Sequence, residues 1–186
     1  MNQFHIHKLV SVCCVLALFI TITLTLQTKT AHAKPNHKYA SLVIDADTGA
    51  ILHQRHPDKV LHPASLTKVM TLMVLFDEIE SGRVSLRDRI RISRTANSMV
   101  PSKLDLPVGS SIRVEDAIYA LVTKSANDVA VAIAEHISRS ERQFTHRMNQ
   151  KARQIGMSRT HYANASGLHD DKQVSTARDQ AKLARE

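Results

Sequence analysis

An α/β fold of the α+β kind, in which a short antiparallel hairpin opens a sheet and helices follow, is what this sequence predicts. Three observations carry that reading. Residues 39–56, YASLVIDADTGAILHQRH, are two strand-like runs around Asp47–Thr48–Gly49, which is a hairpin signal. Apolar residues at helical spacing fill much of the chain from residue 65 onward. Glycine occurs only five times, mostly where such segments turn or stop.

The first 33 residues stand apart. Lys8 precedes a largely apolar run from Leu9 to Leu26, and Ala31–His32–Ala33 fits a small-x-small cleavage site. This is the layout of a secretory signal peptide, residues 1–33, with residues 34–186 as the single mature domain. An uncleaved anchor is the rival reading. The run is at the short edge of a bilayer span and carries Thr21, Thr23 and Thr25. Both cysteines, Cys13 and Cys14, lie in the run, so the mature part holds neither thiol nor disulfide.

The whole chain carries a net charge of +8; the leader contributes Lys8 and Lys29 and no acid, so residues 34–186 keep +6. A basic exported protein suits anionic partners, with peripheral association with a membrane surface or cell-wall polymer as one reading and solubility alone as the plain and commoner one. Nucleic acid is the wrong compartment, and no basic patch interleaved with aromatics is present. Eleven histidines, His5 and His7 in the leader among them, show no metal-ligand spacing.

After the hairpin, a loop with Pro57 and Pro63 leads to Ser65. Residues 65–80 read as a helix stopped by Ser81–Gly82. Its apolar residues, among them Val69, Met70, Met73, Val74 and Phe76, surround the axis, which predicts a helix at the domain centre. Residues 84–109 are polar and irregular, a surface excursion. A helical pattern over 113–124 is interrupted by Ser125-Ala-Asn-Asp and resumes over 129–157 as one or two helices ending near Gly156. Residues 164–171, NASGLHDD, form a loop. The last segment starts a helix with Thr176 as its cap and Asp179 near its positive end. No later segment offers strong strands to complete the sheet. A lone hairpin is marginal in water, so either the sheet is stunted or the sequence is truncated.

Ser65 and Lys68 form a Ser–x–x–Lys pair at the start of the first helix, three residues apart and so on one face. A serine hydroxyl needs a base to become a nucleophile. A lysine amine serves only when neutral, and burial and a helix N-terminus both push its pKa down. Free N–H groups of the first turn could also help bind an oxyanion. The plain alternatives are a helix cap for Ser65 and a snorkelling surface residue for Lys68. Ser125 and Asn127 form a second element, Ser–x–Asn, at the break between helices. A second hydroxyl can relay a proton, and an amide can hold the lysine and a substrate carbonyl. Capping of the following helix is again the plain alternative.

Ser–x–x–Lys with Ser–x–Asn is a known signature of penicillin-binding proteins and serine β-lactamases. Together with ASLTKVMTLMVL, KSANDVAVAIAEHI, MNQKARQIGM and STARDQAKLAR, it resembles the low-molecular-mass penicillin-binding proteins, the serine D-alanyl-D-alanine carboxypeptidases, from about Tyr39 to Glu186. The resemblance implies a transpeptidase/β-lactamase-like fold with a helical subdomain, and peptidoglycan stem peptides ending in D-Ala-D-Ala as substrate. It implies Ser65 as acylated nucleophile, Lys68 as proton acceptor, Ser125 as proton shuttle and Asn127 as substrate contact. β-Lactams would acylate Ser65, no metal or cofactor is implied, and the periplasm or cell envelope is the expected place of work.

The chain departs from the family in one respect: no Lys–Thr/Ser–Gly triplet occurs anywhere in it. In the family that motif lies on a strand lining the cleft and supplies part of the oxyanion hole. The sequence therefore reads as the N-terminal part of such an enzyme, with a catalytically weak or inactive remnant as the alternative. A DD-endopeptidase of the same family shares the motifs. A class A β-lactamase prefers Ser–Asp–Asn and needs a glutamate that has no evident counterpart in this sequence.

Overall fold

The computed structural model describes residues 39–186, and the leader, its cleavage site and both cysteines lie outside the described residues. Strands β1 (Ser41–Ile44) and β2 (Ile51–Arg55) form the expected antiparallel hairpin, pairing Ser41 with Arg55 and Val43 with His53. Its turn is fixed by Asp45, whose carboxylate accepts from the Thr48 N–H at 2.7 Å and the Thr48 hydroxyl at 2.6 Å. A 3₁₀ turn, Ala64–Leu66, then enters helix α1, Thr67–Glu80.

The stretch expected to be an irregular excursion contains structure of its own. Strands β3 (Arg89–Arg91) and β4 (Ser111–Arg113) pair antiparallel, and a one-turn helix, α2 (Arg94–Asn97), lies between them. Ile90 and Ile112 face each other across this ribbon, and Ile90 is fully buried. Three-residue strands are too short for their alternation to show against so many arginines. Helix α3 (Val114–Tyr119) runs into a π-helical turn, Ala120–Lys124. Helices α4 (Asn127–Ser138) and α5 (Glu141–Gln154) follow, and α6 (Ala177–Arg185) ends the chain. Ser140 caps α5 through the Gln143 N–H; Thr176 caps α6 through the Asp179 N–H, and of the two only this cap is expected from the sequence.

The central helix is α4, not α1. Val129 to Ala134 are all 0% exposed. Its alternation of alanine with valine and isoleucine lets α1, α2, α5 and β3 all pack on it. Helix α1 buries one face, with Met70, Thr71, Val74 and Leu75 inward, while Val69 (38%) and Phe76 (42%) are exposed. The outward residues line a groove of ≈440 Å³ with Met73 and Leu183. The expectation of a helix buried all round is thus corrected: its apolar residues outnumber those the described residues cover.

Two isolated bridges hold the segment before α6: Leu61 with Ser175 ties it to the chain entering the 3₁₀ turn, and His161 with Val174 ties it to the chain after α5. Helices α1 and α5 are joined by charge. The Glu78 carboxylate, on α1, takes a two-pronged contact from Arg83 at 2.8 and 2.7 Å and a short contact from Arg147 on α5. These guanidiniums hold the Glu78 pKa at about 2, well below the usual carboxylate value.

A depressed carboxylate contributes stability above its unfolded pKa and loses it as pH falls through the folded value. Glu78→Gln is therefore expected to cost on the order of 2 kcal/mol at neutral pH, the full shift being discounted for the exposed Arg83 head. The difference from the unaltered protein should vanish as pH falls from about 4.5 to about 2. Urea unfolding of both proteins across that range measures it.

Candidate active site

Ser65 sits in the 3₁₀ turn behind Ala64, whose φ of +49° is left-handed. That conformation costs a non-glycine residue on the order of 1 kcal/mol and turns the chain sharply into α1. Ser65 caps nothing: neither the 3₁₀ turn nor α1 has a side-chain cap. The Ser65 side chain is exposed, and its N–H makes no hydrogen bond among the described residues.

Lys68, one turn on, is not a surface residue. It is 3% exposed, and its amine donates to Asn127 Oδ1 at 2.8 Å and to the Ser166 carbonyl at 2.6 Å, with Ser65 Oγ at 3.5 Å. Burial lowers its pKa from 10.5 to about 8. The two closer oxygens accept N–H groups in either protonation state. On losing a proton the amine keeps two N–H groups for them, and its lone pair is left for the third direction, that of Ser65.

The π turn after α3 ends at Ser125, which is left-handed at φ +56°, and Ala126 is extended before Asn127 opens α4. Short π-helical insertions are frequent at functional sites. Ser125 Oγ makes no hydrogen bond among the described residues, and neither Ser125 nor Asn127 caps α4. Asn127 is spent on both sides: Oδ1 on Lys68, and Nδ2 on the Val100 carbonyl at 2.9 Å. Its N–H donates to the Ser102 carbonyl at 2.7 Å. The next residue, Asp128, is fully buried, and its carboxylate accepts from the N–H groups of Leu104, Asp105 and Val129. The loop 100–105 is thereby fastened to the α4 N-terminus.

Ser65, Ser125 and Asn127 line one cleft of about 350 Å³ with Ser102, Ser166 and Gly167, and Lys68 lies at its base. His62 and His169 stand at its rim, ring centroids 5.1 Å apart. All four residues singled out by sequence thus meet. Ser166, Asp128 and the Val100–Ser102 carbonyls escaped sequence reading. Ser166 acts through its backbone, so its side chain carries no signal. Asp128 did carry one, an acid at a helix N-terminus. Among the described residues no group of three or more His, Cys, Asp or Glu side chains could hold a metal ion.

A serine beside a buried lysine amine at a helix start, faced by a Ser–x–Asn turn, defines a serine–lysine site on a mixed helix-and-sheet scaffold. The chain belongs to the D-alanyl-D-alanine carboxypeptidase family, whose profile matches residues 27–186. It is 35% identical over 147 residues to the D-alanyl-D-alanine carboxypeptidase DacF of Bacillus subtilis, covering 79% of this chain and 38% of that one. It is 34% identical over 145 residues to the D-alanyl-D-alanine endopeptidase of Pseudomonas aeruginosa, covering 77% and 45%. The crystal structure of the D-alanyl-D-alanine carboxypeptidase DacD from Francisella tularensis superposes with a TM-score of 0.77 at 39% identity, covering 78% of this chain and 35% of that one. The fold is therefore the transpeptidase/β-lactamase-like one. The chain spans less than half the length of these relatives.

Gly167 presses on the turn that carries Ser65. It is left-handed at φ +85°, and a Cβ there would run into the Ala64 carbonyl and lie 3.1 Å from the Ser65 nitrogen. Gly109 has the same φ with open space around it. Gly109→Ala is expected to cost about 1 kcal/mol, the left-handed penalty alone, whereas Gly167→Ala should cost at least about 2 kcal/mol more. Denaturant midpoints of the two variants measure the difference.

Proposed function

We propose that this protein is a serine-type D-Ala-D-Ala carboxypeptidase that trims peptidoglycan stem peptides through an acyl-enzyme on Ser65. The observation that carries the reading is the Lys68 amine, buried, lowered to a pKa of about 8 and aimed at Ser65. At pH 7 about a tenth of such an amine is neutral, against fewer than about one in a thousand in water.

In the proposed reaction, Ser65 Oγ attacks the carbonyl carbon of the penultimate D-Ala while its proton passes to neutral Lys68. The Ser65 N–H, which makes no hydrogen bond among the described residues, would meet the developing oxyanion. The tetrahedral intermediate collapses, the C–N bond breaks, and Ser125 gives its hydroxyl proton to the departing D-Ala amine while taking in its place the proton that Lys68 accepted, which leaves Lys68 neutral for the second half. Ser125 is suited to this because its hydroxyl has no protein partner among the described residues and lines the same cleft. Asn127 keeps Lys68 in place and borders the substrate. Water then attacks the ester and restores Ser65. A β-lactam would follow the first half of this course, its amide ring opening as the acyl bond forms. The endopeptidase relative supports a second reading, cleavage of cross-links by the same steps. The leader and basic charge support export with cleavage after Ala33, and work at the periplasmic face or cell wall.

Intact mass after exposure to penicillin tests the reading: one adduct is expected, absent in Ser65→Ala. Because only neutral Lys68 accepts the proton, acylation should rise about tenfold from pH 7 to pH 9 and level off above its pKa of about 8. Lys68→Arg should abolish it, since a guanidinium does not deprotonate. A folded chain that forms no adduct at any pH counts against the reading.

A further inference from the structure

We propose that Gln173 is a positioning residue for the Ser65–Lys68 pair: its side-chain amide clamps the loop 163–167 onto the first turn of α1, which keeps the Ser166 carbonyl on the Lys68 amine. The proposal deepens the acyl-transfer reading and rests on it for one arm of its test.

Gln173 is 1% exposed, and all four of its side-chain hydrogen-bonding positions are filled. Its Oε1 accepts from the Ala163 N–H at 2.7 Å and the Asn164 N–H at 3.0 Å. Its Nε2 donates to Thr67 Oγ1 at 3.1 Å and to Asn164 Oδ1 at 3.1 Å. Thr67 is the neighbour of Lys68 on α1 and is fully buried. Asn164 Oδ1 in turn accepts from the Gly167 N–H at 2.7 Å, which closes the loop around Ser166. Gln173 itself cannot drift. Its neighbours Val174 and Ser175 are bridged to His161 and Leu61, and its own carbonyl is 2.7 Å from His62 Nδ1 at the cleft rim. One residue therefore joins the chain before Ser65 through its backbone, and the first turn of α1 and the loop that covers Lys68 through its side-chain amide.

A buried amide with every position satisfied is rigid, and substitution leaves several partners unsatisfied at once. Without it, and apart from the Lys68 contact itself, the described residues that hold the loop down are Thr71, which donates to the Ala165 carbonyl, and Glu141, which accepts the Ala165 N–H, with Asn149 on Tyr162 just before it. Water would then reach Lys68, and its titration would move back toward that of a solvated amine.

The test compares the full chain with Gln173→Leu and Gln173→Glu. Isotope-edited NMR of the lysine side-chain amines, with Lys68→Met assigning the signal, follows Lys68 whether or not the protein reacts with penicillin. In Gln173→Leu the Lys68 midpoint should rise by about one unit, and penicillin acylation at pH 7 should fall about tenfold and recover at higher pH. Gln173→Glu keeps the two accepted bonds and loses the two donated ones, and its carboxylate also favours charged Lys68, so its shift should run in the same direction while the uncharged Gln173→Leu decides. Should Gln173→Leu not fold, Thr67→Val cuts the single tie between the amide and α1 and should show the smaller shift. An unchanged Lys68 midpoint in folded variants, with only a lower thermal midpoint, would overturn the proposal and leave Gln173 a brace of the fold. An unaltered chain that titrates near 8 yet forms no penicillin adduct would sink the acyl-transfer reading, and the NMR shift alone would then decide this one.

Discussion

Three oxygens around one amine set the terms for the rest of this molecule. Lys68 would be costly to bury alone, since an ammonium loses several kcal/mol of hydration on leaving water. Asn127 Oδ1 and the Ser166 carbonyl offset part of that cost, and the remaining desolvation shows as a lowered pKa. Neither oxygen can be moved much, because each belongs to a segment fixed for its own reasons. Asn127 opens α4, the helix on which α1, α2 and α5 pack. Ser166 belongs to a loop tied down by Gln173, Thr71 and Glu141.

The scaffold accordingly sets a rigid helix behind the cleft and two strained residues in its lining. Behind lies the alanine-rich α4, with Asp128 holding the loop 100–105 at its N-terminus. Ala64 and Ser125 both adopt left-handed conformations, each with a cost that surrounding contacts must meet. Both strained residues line the cleft. Their placement turns Ser65 and Ser125 outward, free of the capping bonds that serines at helix ends ordinarily make.

Much of this was legible in the sequence. The hairpin, the main helices, the Thr176 cap and the four polar residues of the cleft follow from local patterns, because caps, turns and i,i+3 spacing are short-range facts. The errors arose where the answer depends on the third dimension. Helix α1 carries more apolar residues than α4 and so looked central, yet Val69 and Phe76 face outward among the described residues. Small alanines pack closer than large side chains, and a count of apolar positions does not register that. The β3–β4 ribbon was missed because its strands are three residues long and their exposed positions are arginine. Ser166 left no trace, since any residue type offers a carbonyl. Gln173 was passed over for a related reason: a buried glutamine looks like a surface one until its four partners are in place.

The partners of Lys68 are also spread along the chain, Asn127 lying 59 residues beyond it and Ser166 98 residues beyond. Ribosomal synthesis makes Ser65 and Lys68 first. Until both later segments have arrived and folded back, the amine sits in water and holds its proton near an ordinary lysine value. The serine beside it is then as inert as any other. On the proposed reading, the reactivity of Ser65 would be timed by the chain itself: it would arrive with the last long-range contact, and an unfinished polypeptide would carry none.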